Sequence, residues 1–175
     1  MLAPLADAAS ARLAGPEDEE ALVAMVKRMH ADPEWGLRDW DGTPFPFCEE
    51  RVRARIQAAT VKQRNAADAG SACIGVVGAP GALLGSVYLR QQAPELSDGR
   101  YLEEVWNWVA PEHRRGVASQ LLLNFAIALA DECQLTLVSA TRMYENGSRA
   151  RFLQKRIGRP VSSVFAYNAQ ERVTP

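Results

Sequence analysis

Arg114, Arg115, Gly116, Val117, Ala118 and Ser119 follow a strand-like run that stops at Pro111, and they open onto a strongly apolar stretch over residues 119–131. A proline stop, two arginines and then small side chains at a helix start make an anion site by elementary means. The first amides of a helix lack an intrahelical acceptor, small residues let a ligand approach the backbone, and guanidinium groups add two-pronged contacts. The anion that fits such a loop is a diphosphate. A solvated basic turn would account for the arginines but not for Pro111 or the small residues. A nucleotide loop of the Walker type is disfavoured, because no Gly-Lys-Ser/Thr element is present.

Other reactive residue types form no comparable pattern. Cys48, Cys73 and Cys133 are odd in number and show neither C-x-x-C nor Cys/His ligand spacing, so they read as buried or incidental thiols, and no metal is expected. The 175-residue chain is 47% hydrophobic and 23% charged with a net charge of -1, which gives no electrostatic case for nucleic acid. The start of the chain lacks the basic, continuously apolar character of a signal peptide, and no apolar run approaches the length that spans a bilayer. The expectation is a cytoplasmic protein with no membrane partner. It has a flexible lead-in over 1–10, one domain over 11–170 and a short tail over 171–175.

The elements that must position the basic loop follow from hydrophobic period. A short apolar piece at 11–14 precedes Gly15 and Pro16, whose acidic followers suit a helix start. The helix runs to about His30, with Leu22, Val23, Met25, Val26 and Met29 on one face. Residues 31–48 form a long aromatic and acidic loop rich in Pro and Gly. A second helix over 49–63 buries Val52, Ile56 and Ala59 and turns Arg51, Arg53 and Arg55 outward. Residues 73–77 and 83–89 form a hairpin around a turn at 78–81, and a third strand ends at Val109. The helix over 119–131 is apolar nearly all round, as a helix packed on a sheet is. A strand at 135–139, a short basic helix at 147–156 and a strand at 161–167 complete the order β-α-α-β-β-β-α-β-α-β.

With Val109, Pro111 and Arg114 leading into the leucine-rich helix, the chain resembles the GNAT superfamily of Gcn5-related N-acetyltransferases, whose motif reads roughly V-x-P-x-x-R-x-x-G-x-G/A. In the ungapped register Arg114 takes the first motif position, Val117 stands where Gly is usual and Ser119 where Gly or Ala is usual. A register shifted by one residue would put His113 in the lead. Phage-type members are the nearest in motif, through the paired arginines, Phe125 with Ala126, and a basic segment over 149–160. The resemblance covers residues 72–168. It implies an α/β (α+β) fold of the acyl-CoA N-acyltransferase kind, with a mostly antiparallel mixed sheet, flanking helices and a splayed strand pair.

The resemblance also implies roles. Acetyl-CoA is the expected cosubstrate, with its diphosphate on His113, Arg114, Arg115, Gly116, Val117, Ala118 and Ser119. Its pantetheine arm is expected along the backbone of Asn107, Trp108 and Val109. Asn146 would contact that arm or cap the following helix. An amine attacks the thioester directly, with Glu103 or Glu104 as base; adjacent strand residues point oppositely, so only one can face the cleft. Leu153 occupies the position where relatives carry the tyrosine that protonates the thiolate, which leaves Tyr144 as the candidate acid. Trp35, Asp39, Trp40 and Asp41 would line the mouth for a cationic or amphipathic amine of a small molecule or peptide, or else the aromatics cap the sheet. The enzyme would act as a monomer or homodimer. A non-catalytic acyl-CoA-binding protein on the same fold is the alternative that Leu153 motivates.

Overall fold

The computed structural model describes residues 10–33, 35, 42–62, 72–93, 98–114 and 116–139. Five strands form one sheet in the order β1 (Arg12–Leu13), β2 (Ala72–Ala79), β3 (Ala82–Gln92), β4 (Tyr101–Val109) and β5 (Thr136–Ser139). The first four pair antiparallel with their neighbours and β5 joins β4 in parallel, so the sheet is mixed and mostly antiparallel. Helices α1 (Glu19–Ala31) and α2 (Glu49–Lys62) pack on one face and α3 (Ala118–Cys133) on the other. A strand covered on both faces needs apolar residues in succession rather than in alternation. Both Ile74 to Val77 and Gly85 to Leu89 are buried without a break.

The α3 face of the sheet carries Val77, Val87, Leu89, Leu102 and Val109 against Ala118, Leu122, Ala126 and Ala130. The other face packs Ile74, Val76 and Tyr88 against Leu22, Val23, Ile56 and Ala59. A third apolar group, Met25, Trp108 and Ala110 with Met29, Trp35 and Leu83 beside it, joins the end of α1 to the end of β4. Burying each such large side chain is worth about 1.5–3 kcal/mol.

Local chemistry accounts for the boundaries. Pro16 opens a 3-10 turn (Pro16–Asp18) rather than α1 itself, and the wholly buried Asp18 carboxylate accepts the Gly15 amide at 3.0 Å. Arg12 holds that carboxylate from the edge strand through both nitrogens, at 2.7 and 2.8 Å. The hairpin turn is shorter than the expected 78–81. Only Pro80 and Gly81 lie outside the strands, and Gly78, at φ +113°, stands in β2 opposite a bulge that leaves Leu84 of β3 as the extra residue. A glycine that looks like a turn residue in sequence serves here inside a strand, facing the bulge, since both places draw on positive φ. Arg53 does not project outward. Its guanidinium gathers Glu19, Glu20 and Glu49 and ties α2 to the start of α1. The helix expected over 147–156 and the strand over 161–167 lie outside the described residues. Among the described residues no helix is long and apolar enough to cross a membrane.

Candidate functional site

The basic loop hangs from β4, so the site is built from that strand. Its pairing with β3 shifts register between Tyr88 and Leu89: Tyr88 faces Trp106 and Leu89 faces Glu104, which leaves Val105 as the extra residue. Such a bulge bends a strand and re-aims the side chains beyond it. Leu102 lies in the α3-side core and strand alternation puts Glu104 on the same face, whereas Val105 and Trp106 pack on the α1–α2 side.

This alternation separates the two candidate carboxylates. Glu104 is 3% exposed; its Oε2 accepts from Asn107 Nδ2 at 3.1 Å and its Oε1 from Ser139 Oγ at 2.8 Å. Glu104 thus joins β4 to β5 at the last of their paired positions, Glu104 with Ser139. Glu103 points to the opposite face, is half-buried and accepts from Arg90 Nη2 at 2.7 Å across the β3–β4 pair. Ser139 had no sequence signal beyond its place at a strand end.

At the far end of β4, residues 111–113 coil into a 3-10 turn, with the His113 amide donating to the Ala110 carbonyl at 2.8 Å and the Gly116 amide to the His113 carbonyl at 3.1 Å. Helix α3 then starts at Ala118 without a side-chain cap. The amides of its first turn, on Ala118, Ser119 and Gln120, have no intrahelical acceptor, and aligned peptide dipoles place partial positive charge there. Gly116 and Val117 before it are exposed, and a Cβ on Gly116 would meet only the His113 carbonyl, at 3.4 Å. Small, exposed residues beside uncapped amides fit the close approach of an anion to backbone.

Arg114 is turned inward from this loop. Its Nε donates to the Val109 carbonyl at 3.1 Å, its Nη2 pairs with Asp32 Oδ2, and its guanidinium lies 5.8 Å from the centre of the Trp108 ring. Arg28 stands 5.7 Å from the same ring and holds both Glu112 oxygens at 2.9 Å. Trp108 is 1% exposed, so a ligand passing β4 there would meet its backbone. A recess of about 510 Å³ opens between Arg28, Asp32, Pro33, Trp108, Pro111 and Arg114. Trp35 packs against the Trp108 group and its amide donates to the Asp32 carbonyl at 3.1 Å. Asp32, Arg28 and Glu112 carry no local signal in the sequence, because their partners are far along the chain.

Asp39, Trp40, Asp41, Arg115, Tyr144, Asn146 and Leu153 lie outside the described residues. Burial, followed by the neighbouring Cys133, pushes the Cys73 thiol up to about 12, so it holds its proton at neutral pH. Cys48 and Cys133 are exposed. Among the described residues no group of three or more His, Cys, Asp or Glu side chains could hold a metal.

The fold and this loop can be set beside known proteins. No curated protein matches the chain by sequence. Solved structures match over nearly its whole length at low identity. A protein from Clostridium acetobutylicum, described as a predicted acetyltransferase and solved with acetyl-CoA, shares 13% identity at a TM-score of 0.66, over 94% of this chain and 99% of that one. Ribosomal-protein-alanine N-acetyltransferase from Brucella melitensis biovar Abortus 2308 shares 14% at 0.63, over 91% and 96%. An acetyltransferase from Trypanosoma brucei shares 13% at 0.60, over 91% and 98%. At such identities the likeness establishes the fold. The sequence pattern of the Acetyltransferase (GNAT) family matches residues 34–158, well over half of the chain, and the protein therefore belongs to the GNAT acetyltransferase family.

Proposed function

We propose that the protein transfers an acetyl group from acetyl-CoA directly to a primary amine of a small molecule or peptide. The observation that carries this reading is the uncapped first turn of α3 at the end of a bulged β4, within a GNAT fold. In this reading the diphosphate sits on the amides of Ala118, Ser119 and Gln120 beside Gly116 and Val117, and His113 and Arg115 flank it. The pantetheine arm follows the backbone of Asn107, Trp108 and Val109, with Asn146 contributing an amide.

The amine nitrogen attacks the thioester carbonyl, the carbon–sulfur bond breaks, and CoA leaves as a thiolate that takes up one proton. The attacking nitrogen loses one proton. Glu103 is the carboxylate on the face covered by α1 and α2, where the loop after Asp32 begins, and Arg90 holds it across the β3–β4 pair; it is the better placed acceptor for that proton. Glu104, bonded to Asn107 and Ser139, keeps β4 and β5 in register. Tyr144 or water protonates the thiolate. Trp35, Asp39, Trp40 and Asp41 favour a cationic acceptor.

Calorimetry with acetyl-CoA and CoA tests the cofactor half: both bind, and absence of binding at high micromolar concentration overturns it. Release of free thiol against a panel of amines tests the transfer. Robust turnover with any amine rules out the alternative, an acyl-CoA-binding protein without catalysis.

A further inference from the structure

We infer that Asp32 is a positioning residue for the cofactor loop, holding Arg114 inward so that the loop presents backbone amides rather than the Arg114 side chain to the diphosphate. This rests on the proposed acetyl-CoA site and adds to it a residue from a different element. Asp32 caps the C-terminus of α1, its amide donating to the carbonyls of Arg28 and Met29 at 3.0 and 3.2 Å. Its side chain is 10% exposed, and its Oδ2 accepts from Arg114 Nη2 and from Trp108 Nε1, the latter at 3.4 Å. Arg114 meanwhile donates Nε to the Val109 carbonyl. One planar guanidinium therefore spans three fixed points: the end of α1, the last residue of β4 and the first residue of the loop.

Geometry explains why arginine stands there. A guanidinium presents donors along two edges in a rigid fork, so it can hold a carbonyl with one edge and a carboxylate with another; an ammonium offers a single charged point. The pair is largely withdrawn from water, and its partners are 82 residues apart in sequence. Loss of either member breaks a largely buried charge pair beside the Trp108 ring. Asp32 also opens the segment that leads to Trp35, Asp39 and Asp41, so the brace joins the proposed acceptor side to the proposed cofactor side.

The two roles open to Arg114 predict opposite patterns. If Arg114 is a direct phosphate ligand, Asp32→Asn frees it and leaves CoA affinity unchanged or raised, and Arg114→Lys retains affinity as a point charge. If Arg114 is a brace, Asp32→Asn and Arg114→Gln each weaken CoA by about tenfold. Arg114→Lys then behaves like Arg114→Gln, and the double variant is no weaker than either single one, as members of one unit are not additive. Titration of CoA into the full-length wild type and these four variants, with melting curves alongside, reads this directly. We expect the brace pattern, together with a raised KM for acetyl-CoA and a kcat at saturation changed by less than about twofold, because Asp32 touches no reacting atom. Wild-type affinity in Asp32→Asn overturns the inference and leaves the acetyltransferase reading standing. A wild type that binds no CoA overturns both. Should Asp32→Asn fail to fold, Arg114→Lys decides: wild-type affinity in that variant overturns the brace.

Discussion

Strand β4 is held in two different ways along its length. Over Tyr101 to Glu104 it has a strand on each side, and a buried carboxylate, Glu104, bonds to Asn107 and Ser139. Beyond the bulge at Val105, pairing with β3 continues, and the end of the strand is tied to α1 by side chains: Asp32 with Arg114 and Arg28 with Glu112, both guanidinium groups beside the Trp108 ring. Backbone pairing fixes a strand closely but uses up the amides and carbonyls that a ligand arm could meet. Side-chain braces fix the position of a strand from one face and leave its backbone edge to other partners. In the proposed reading, the first half of β4 holds the sheet together and the second half meets the cofactor.

The comparison breaks most readily at Trp108. Its ring fills the space between α1 and β4 and is the common surface for both guanidinium groups, so Trp108→Ala removes about 3–5 kcal/mol of stability. Chemical denaturation reads this as a lower midpoint. A loss below about 1 kcal/mol would show that the braces hold the strand without the ring. In the first half, Glu104→Ala leaves the Asn107 amide and the Ser139 hydroxyl without their carboxylate, at about 1–3 kcal/mol. Its neighbour behaves in the opposite way. Glu103→Gln leaves stability within about 0.5 kcal/mol and lowers turnover by about 10²-fold or more, if it takes the proton. Equal stability losses at the two positions would erase the division between a structural and a chemical carboxylate.

How much of this was legible in the sequence depends on separation along the chain. The helices and strands up to β5 and the loop before α3 follow from local period and from Pro111, and they stand where they were expected. That Glu103 and Glu104 face opposite ways also follows from strand geometry; which of them is buried does not, because it depends on Ser139 and on the bulge at Val105. The bulge itself has no local signal, since Val105 is an ordinary strand residue. Arg114 reads as a phosphate ligand because it sits in a loop built for anions, and nothing local points it back toward Asp32. Arg53 shows the same limit: on an isolated helix it faces outward, and only the placing of α1 against α2 brings Glu19 and Glu20 to it.

A pair away from β4 calibrates what a buried brace contributes. Burial alone would raise the Asp18 carboxyl, but the Arg12 guanidinium and the Gly15 amide outweigh it and hold it below the ordinary carboxylate range. A carboxyl depressed by folding contributes stability above its unfolded pKa and loses that contribution as pH falls through the folded value. Asp18→Asn therefore destabilises by about 2–3 kcal/mol at neutral pH, less than a fully buried pair because Arg12 keeps one third of its side chain in water. The gap between wild type and variant closes as pH drops below about 4. Urea midpoints taken across that range check the sign: a gap that widens in acid would mean that the carboxyl is not held in its charged form.

The smallest effect belongs to the outer brace. Arg28 holds both Glu112 oxygens, where Arg114 meets Oδ2 of Asp32, but both side chains of the outer pair are about half exposed. The Glu112 carboxyl is lowered by its own backbone amide first and by Arg28 second, so any contribution is present above the ordinary glutamate range and fades as pH falls through the lowered value. Water and salt screen such a pair, and exposed ion pairs contribute little. Arg28→Met keeps the apolar stem over Trp108 and removes the charge, so its melting curve at neutral pH should overlay that of the wild type within scatter, in low and in high salt. CoA affinity should be unchanged as well. A clear loss of affinity in Arg28→Met, matching that of Asp32→Asn, would mean that the end of β4 is held by both braces together, and that burial of the carboxylate is not what distinguishes the one that matters.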